Sequence, residues 1–429
     1  MAGRLAAALA FALLAAHAMR VGAYGGVAFW LLAGGLAMGR AAWARLAAAG
    51  LLAFGMFFWF DLGWRLAQVR MAFGQDWWRL GGIMGAVALA TATASVWLAR
   101  DGLARRNSGD AARAAAFLLT VGGLALATVK TPLTVLMADR FLPGAGWVEV
   151  FGLGVYAAWA TGAMRDPVRA PLIRRRIWSV FTLVFFGQLV LGLAGAERFL
   201  MTGTLHLPVP ALIIAGPLFR GDGYFMLILF AATVVLVGPA WCSHLCYIGV
   251  WDNWGAMAKA RPKRFPRWRA GVRWAIALLV FGTAVGLRKA GVSMGVAVWL
   301  AAAFGLGGVA LMATWSRRMG AMTHCAMYCP MGLLASLCGR LHPWRMRMLS
   351  GCTQCGKCAL VCRYGALTKA DIERGRPGMS CTLCGDCVAG CPHGQLAYAF
   401  PGLSAATART VFIVLVVALH AVFLGVARI

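Results

Sequence analysis

Eight cysteines stand in two runs of one spacing. Cys352, Cys355, Cys358 and Cys362 read C-x2-C-x2-C-x3-C; Cys381, Cys384, Cys387 and Cys391 repeat it, with Pro392 after the last. Thiolates at this spacing suit iron–sulfur chemistry. Three cysteines on a tight loop reach three corners of one 4Fe–4S cube, and the fourth points away toward a second cube. The pattern predicts two 4Fe–4S clusters with crossed ligands, as in two-cluster bacterial ferredoxins. Cys352, Cys355, Cys358 and Cys391 are expected on one, and Cys381, Cys384, Cys387 and Cys362 on the other. Gly351, Gly356, Gly385 and Gly390 interleave and let backbone N–H groups approach the sulfurs. The first run departs from the pattern in ending Cys362-Arg363. Zinc usually takes four ligands in more widely separated pairs, and disulfides are disfavoured on a cytoplasmic side.

A second repeat precedes the first. Cys242 and Cys246, then Cys325 and Cys329, both read C-x3-C-x2-G, ending at Gly249 and Gly332. On an α-helix, residues i and i+4 share a face, so each pair is expected to present two sulfurs together. Four such thiolates suit a further iron–sulfur centre, a redox-active thiol pair or transient copper, whose Cu(I) form favours soft sulfur; buried structural thiols are the bland alternative. His244 and His324 flank the pairs. Cys338 stands alone and is expected to be a small core residue.

Ionisable residues at the ends of apolar segments are the other candidates, because charge in a bilayer is costly. Asp61, Lys130 and Glu149 are read either as a quinone or proton site or as groups reaching the interface. His206, with Asp222 nearby, is the best candidate for a proton acceptor beside a quinol. Met201-Thr202-Gly203-Thr204 lacks the alanine and the upstream acid of a covalent flavin site, so flavin is not expected. Nucleotide-binding and metalloprotease motifs are missing.

The elements that must position these residues are membrane helices. The chain has 429 residues, 61% hydrophobic and 13% charged, with a mean hydropathy of +0.76. Soluble domains are roughly 45–50% apolar and about 25% charged. Such a composition excludes a disordered or nucleic-acid-coating chain, despite a net charge of +28. Eleven apolar segments are candidate spans: 5–18, 21–39, 46–63, 81–99, 114–136, 147–164, 177–195, 223–240, 273–288, 292–313 and 408–427. Segment 205–218 is apolar, short and proline-broken, and reads as interfacial or re-entrant.

Basic residues orient this map, since short cytoplasmic loops collect Lys and Arg. They crowd around Arg40 and Arg45, Arg100–Arg113, Arg165–Arg176 and Lys259–Arg273, while loops 137–146 and 196–222 carry few charges. The expected topology is N-terminus in, C-terminus out and 314–407 cytoplasmic, in a bacterial cytoplasmic membrane whose lipid the basic loops contact. Arg65, Arg70 and Arg79 in loop 64–80 run against it. Residues 5–18 are read as an uncleaved first helix, although Ala16-His17-Ala18 also fits a signal-peptide cleavage site. The expected organisation is a mostly α, polytopic protein. Membrane helices fill 1–195, a membrane core with the C-x3-C pairs spans 196–337, a twin-cluster module 338–405 and a final helix 406–429.

A multispanning part with two C-x3-C motifs, followed by twin ferredoxin runs, resembles the NapH/NosR/CcoG polyferredoxin group. The resemblance covers roughly 220–400 and rests on Cys242/Cys246, Cys325/Cys329-Pro330-Met331-Gly332 and the eight ferredoxin cysteines. It implies electron transfer between the quinone pool, or flavin- or ferredoxin-like donors, and partner redox proteins, in nitrate or nitrous-oxide respiration or in cytochrome oxidase assembly. Two departures stand out: Tyr247 replaces the proline of the first motif, and no large outer domain is present. The rival expectations are an assembly factor that reduces copper for a partner enzyme and a membrane redox sensor.

Overall fold

The computed structural model describes residues 2–131, 133–200 and 207–426, and the chain divides into two compact units, 1–162 and 163–429. All thirteen cysteines fall in the second.

The first unit is helical throughout its described residues: α1 (Ala2–Arg20), α2 (Tyr24–Met38), α3 (Ala42–Ala72), α4 (Trp78–Ala104), α5 (Asp110–Lys130), a short α6 (Met137–Phe141) and α7 (Gly146–Ala163). Backbone groups in a bilayer must satisfy one another, and a helix does so within one segment. Small residues let α3 and α4 lie close. Ser95 Oγ donates to the Ala49 carbonyl at 2.8 Å, and a Cβ on Gly63 would stand 2.8 Å from Met84. Asp101, near the end of α4, ties Arg45 at 2.6 Å and Arg4 at 3.3 Å, so the ends of three helices are fixed together.

The second unit contains α8 (Ala170–Leu193), α9 (Leu212–Arg220), α10 (Phe225–Val237), α11 (Gly249–Ala256), α12 (Arg269–Lys289), α13 (Met294–Leu311), α14 (Arg317–Met319) and α15 (Pro330–Leu341). A small module follows, with β1 (Arg345–Met348), α16 (Lys369–Glu373), α17 (Asp386–Ala389) and β2 (Leu396–Ala399), before the last helix, α18 (Ala405–Val426). β1 and β2 pair antiparallel, Arg345 opposite Ala399 and Met348 opposite Leu396. Phe181, Phe230, Trp241, Leu245, Met312, Met331 and Phe423 form one buried core. In α18, 56% of the apolar window is buried, against 17% in α12 and 11% in the helix through Met319, so α18 is central and those two are peripheral.

Among the described residues, nine helices are long and apolar enough to cross a membrane. The other two of the eleven expected segments form α2 and α7. α2 is apolar but only 15 residues long, ending where Gly39 turns extended. Segment 205–218 contains α9, whose nine residues rise about 13.5 Å, well short of a hydrocarbon core of about 30 Å. α9 lies along α12, and Val209, just before α9, comes to 2.6 Å from where a Cβ on Gly305 of α13 would stand.

Candidate metal centres

Two loops of the same backbone shape carry the C-x2-C runs. Gln354 (φ 54°) and Gly356 (φ 73°) flank Cys355; Leu383 (φ 56°) and Gly385 (φ 81°) flank Cys384. Left-handed residues on both sides of a cysteine turn successive N–H groups inward, a cradle for negative charge. The runs also end alike. Ala366 N donates to Cys362 Sγ and Gln395 N to Cys391 Sγ, both at 3.3 Å, with Gly365 (φ 60°) and Gly394 (φ 62°) making the turns.

Cys352, Cys355, Cys358 and Cys391 line one pocket, with Cys355 exposed at its rim. Cys362 instead lies within electrostatic reach of Cys381, Cys384 and Cys387. Burial, more than the neighbouring thiols, pushes Cys362, Cys381 and Cys384 up to about 12. Buried thiols this weak in acidity ionise when a metal binds the thiolate.

The C-x3-C pairs depart from the expected helix face. Trp241–Leu245 and His324–Tyr328 are π-helical turns, and the second cysteine of each pair caps its turn in extended conformation, Cys246 at φ −78°, ψ 115° and Cys329 at φ −76°, ψ 117°. An i→i+5 bond closes each turn: Cys246 N donates to the Trp241 carbonyl at 3.0 Å and Cys329 N to the His324 carbonyl at 2.8 Å. The chain then enters α11 or α15, so Ile248 and Gly249 N–H groups reach the Cys246 sulfur, and Met331 and Gly332 N–H groups reach that of Cys329. The motif glycines have a steric cause. A Cβ on Gly332 would stand 2.5 Å from the Cys325 carbonyl oxygen, and one on Gly249 3.0 Å from that of Cys242. All four cysteines line one pocket. Asp252, fully buried, accepts from Cys325 N at 2.9 Å and Ser316 Oγ at 2.6 Å, and burial raises its carboxyl to about 6. Burial pushes His324 down to about 4, so its ring is neutral at pH 7.

Among the described residues, no three His, Cys, Asp or Glu side chains stand close enough to hold a single metal ion. That includes the cysteines about each cavity.

The second ferredoxin loop is seated on the C-x3-C turns. Ser243 Oγ donates to the Thr382 carbonyl at 2.8 Å, and Tyr364 Oη to the Cys242 carbonyl at 3.2 Å. Tyr364 is buried, with Cys325 and Cys384 packed against its cluster. Arg174, 1% exposed, donates to both carboxylate oxygens of Asp386 at 3.1 Å and to the Ser243 carbonyl at 2.9 Å. Both motif departures also have partners. Arg363 reaches the carbonyls of Ala256, Gly320 and Lys259, and Tyr247 stacks on Phe185 at 4.0 Å.

Sequence reasoning missed Arg174, Tyr364, Asp252, Asp386 and Arg273. Arg174 sits in the run Arg174-Arg175-Arg176, where nothing marks the one that turns inward. Cys338 is exposed and not in the core: it shares the helix face of Met331 but stands in the last turn of α15, beyond the buried stretch that ends at Ser336. The basic loop before α12 is partly engaged, since Arg269 donates to Ser380 Oγ at 2.9 Å and to the Tyr364 carbonyl at 3.3 Å.

Asp61 pairs with Arg65 at 2.9 Å, Lys130 is exposed at the end of α5, and Glu149 accepts from Ala138 N at 2.8 Å. In the second unit, Asp222 pairs with Arg220 at 3.2 Å. His206 and the 201–204 stretch lie outside the described residues.

A family model described as a 4Fe–4S binding domain matches residues 219–266. The chain is a multi-pass membrane protein with a 4Fe–4S binding domain. The matched segment holds Cys242 and Cys246 and precedes the ferredoxin runs. No curated protein and no solved structure matches the chain.

Proposed function

We propose that this is an electron-transfer protein of the bacterial cytoplasmic membrane. It carries two 4Fe–4S clusters in a cytoplasmic module and connects the quinone pool with partner redox proteins. The observation that carries the reading is the pair of like-shaped cysteine loops, one of them hydrogen-bonded onto the C-x3-C turns that enter the membrane helices. Cys352, Cys355, Cys358 and Cys391 would hold one cluster, and Cys381, Cys384, Cys387 and Cys362 the other; when bound, each supplies one-electron transfer. The chain's own contribution is placement. Arg363 and Arg269 clamp the module to the loops beside it, and α18 holds its other end, so the loops stay at a fixed distance from the bundle. The topology is eleven crossings, α2 and α7 included, with the N-terminus in and the C-terminus out. Asp61, Lys130, Glu149, His206 and Asp222 are the residues to test for quinone contact.

The test uses the full chain, purified anaerobically and placed in lipid nanodiscs. Iron–sulfur absorbance bleached by reductant is expected to recover on adding a soluble quinone, and to be lost in Cys358→Ser with Cys387→Ser. Intact cluster signals with no quinone exchange, together with Cu(II) reduction that Cys246→Ala abolishes, would replace this reading with a copper-reducing assembly factor. Partner binding that changes on oxidation, without exchange, would replace it with a sensor.

A further inference from the structure

The cavity between the C-x3-C pairs has features that the two-cluster reading leaves unused. Four cysteines from two like-shaped turns line one pocket, as the first ferredoxin quartet lines another. Arg273 lies within electrostatic reach of Cys242, Cys325 and Cys329 and is 4% exposed. Its only hydrogen bond among the described residues runs from Nη2 to Ser336 Oγ at 3.1 Å, and no carboxylate pairs with it there. Its Nε is buried without a partner, as are Trp241 Nε1 and His324 Nδ1. Trp241 and His324 hold the same place in the two repeats, directly before the first cysteine, and both line the cavity.

A buried cation without a counter-charge is strongly destabilising, and each buried polar atom left without a partner adds to that cost. An occupant that suits this cavity is anionic, accepts hydrogen bonds and binds four thiolates spread around a space. Among the described residues no three His, Cys, Asp or Glu side chains form a group that would hold a single copper or zinc ion. A cubane with four thiolates carries roughly −2 when oxidised and presents sulfide acceptors.

We propose that Cys242, Cys246, Cys325 and Cys329 bind a third iron–sulfur cluster, with Arg273 as its buried counter-charge. The inference deepens the electron-transfer reading and rests on it. It would extend the module's reach into the bundle, since Tyr364 already links the Cys242 carbonyl to the core beside Cys384.

The test counts iron, acid-labile sulfide and copper per chain in the anaerobically purified full-length protein, with EPR-monitored redox titration. The wild type is expected to hold about 12 irons. Cys246→Ser and Cys329→Ser should each lose about four irons and one EPR component, while the two ferredoxin components stay and report that the variant has folded. Arg273→Gln should keep its iron and lower the midpoint of that third component alone. A wild-type content of about eight irons, unchanged in both cysteine variants, overturns the third cluster and leaves the electron-transfer reading standing. So does stoichiometric copper lost with those cysteines. Failure of the parent reading looks different: iron then falls below about eight, or does not respond to Cys358→Ser and Cys387→Ser.

Discussion

Arg174 is the residue through which membrane helix and module meet. Its guanidinium is fully buried, its partner Asp386 directly precedes Cys387, and its charge also acts on Cys384. A fixed positive charge beside a cluster stabilises the reduced form, because reduction adds negative charge. Arg174→Gln is therefore expected to lower the midpoint of the cluster on Cys381, Cys384, Cys387 and Cys362 by on the order of 60 mV, a tenfold change for one electron. The cluster on Cys352, Cys355, Cys358 and Cys391 should not move, and Arg174→Lys should recover part of the shift. A redox titration that moves both clusters equally, or neither, counts against a local charge effect. Breaking the pair also takes from Asp386 its hydrogen-bonded cation, so the melting temperature should fall as well. None of this is legible in Arg174-Arg175-Arg176, where helical phase alone decides which arginine is buried. The cysteines are legible because their spacing matches the geometry of the clusters they are proposed to hold.

At the scale of elements, the C-x3-C-x2-G repeat shows what the sequence conveys and what it conceals. The repeat is visible; the backbone that makes it useful is not. An α-helix would have put both cysteines of a pair on one face, but the chain uses a π-turn that ends in an extended cysteine under the N–H groups of the next helix. No propensity marks a π-turn, and only tertiary packing selects it. The glycine is the one trace it leaves. Gly332→Ala would bring a methyl within 2.5 Å of the Cys325 carbonyl oxygen, and neither backbone can yield without moving a cysteine. Strain of this kind amounts to roughly 1–3 kcal/mol. Thermal unfolding in detergent should show that loss, with the eight-cysteine module still loaded. Gly295→Ala is the control: open space surrounds it, and in a helix the change is neutral or stabilises by up to about 1 kcal/mol. Equal effects at the two positions would mean that the close approach is not what constrains Gly332.

At the scale of the whole molecule, the net charge of +28 is a statement about sides. The basic loops fall at alternate helix connections, which is the pattern that fixes orientation. Two 4Fe–4S centres, at roughly −2 each with their thiolates, would offset only a small part of the excess. Arg65 and Arg70, which run against the pattern, pair with Asp61 at 2.9 Å and the Asp76 carbonyl at 3.2 Å. An N-terminus in and a C-terminus out require an odd number of crossings. Nine helices satisfy that parity and so do eleven, provided that α2 and α7 are both counted or both left out. Counting one alone would reverse the C-terminus. Alkaline phosphatase, active only outside the cytoplasm, tests this when fused at different points of the chain. Fusion after Ile429 is expected to be active and fusion within the 349–380 loops inactive, while fusion after Lys130 should be active, since α5 runs outward. An inactive fusion after Ile429 with an inactive one in the module would mean that α18 does not cross. Activity in the module would turn the clusters outward and remove cytoplasmic donors as partners.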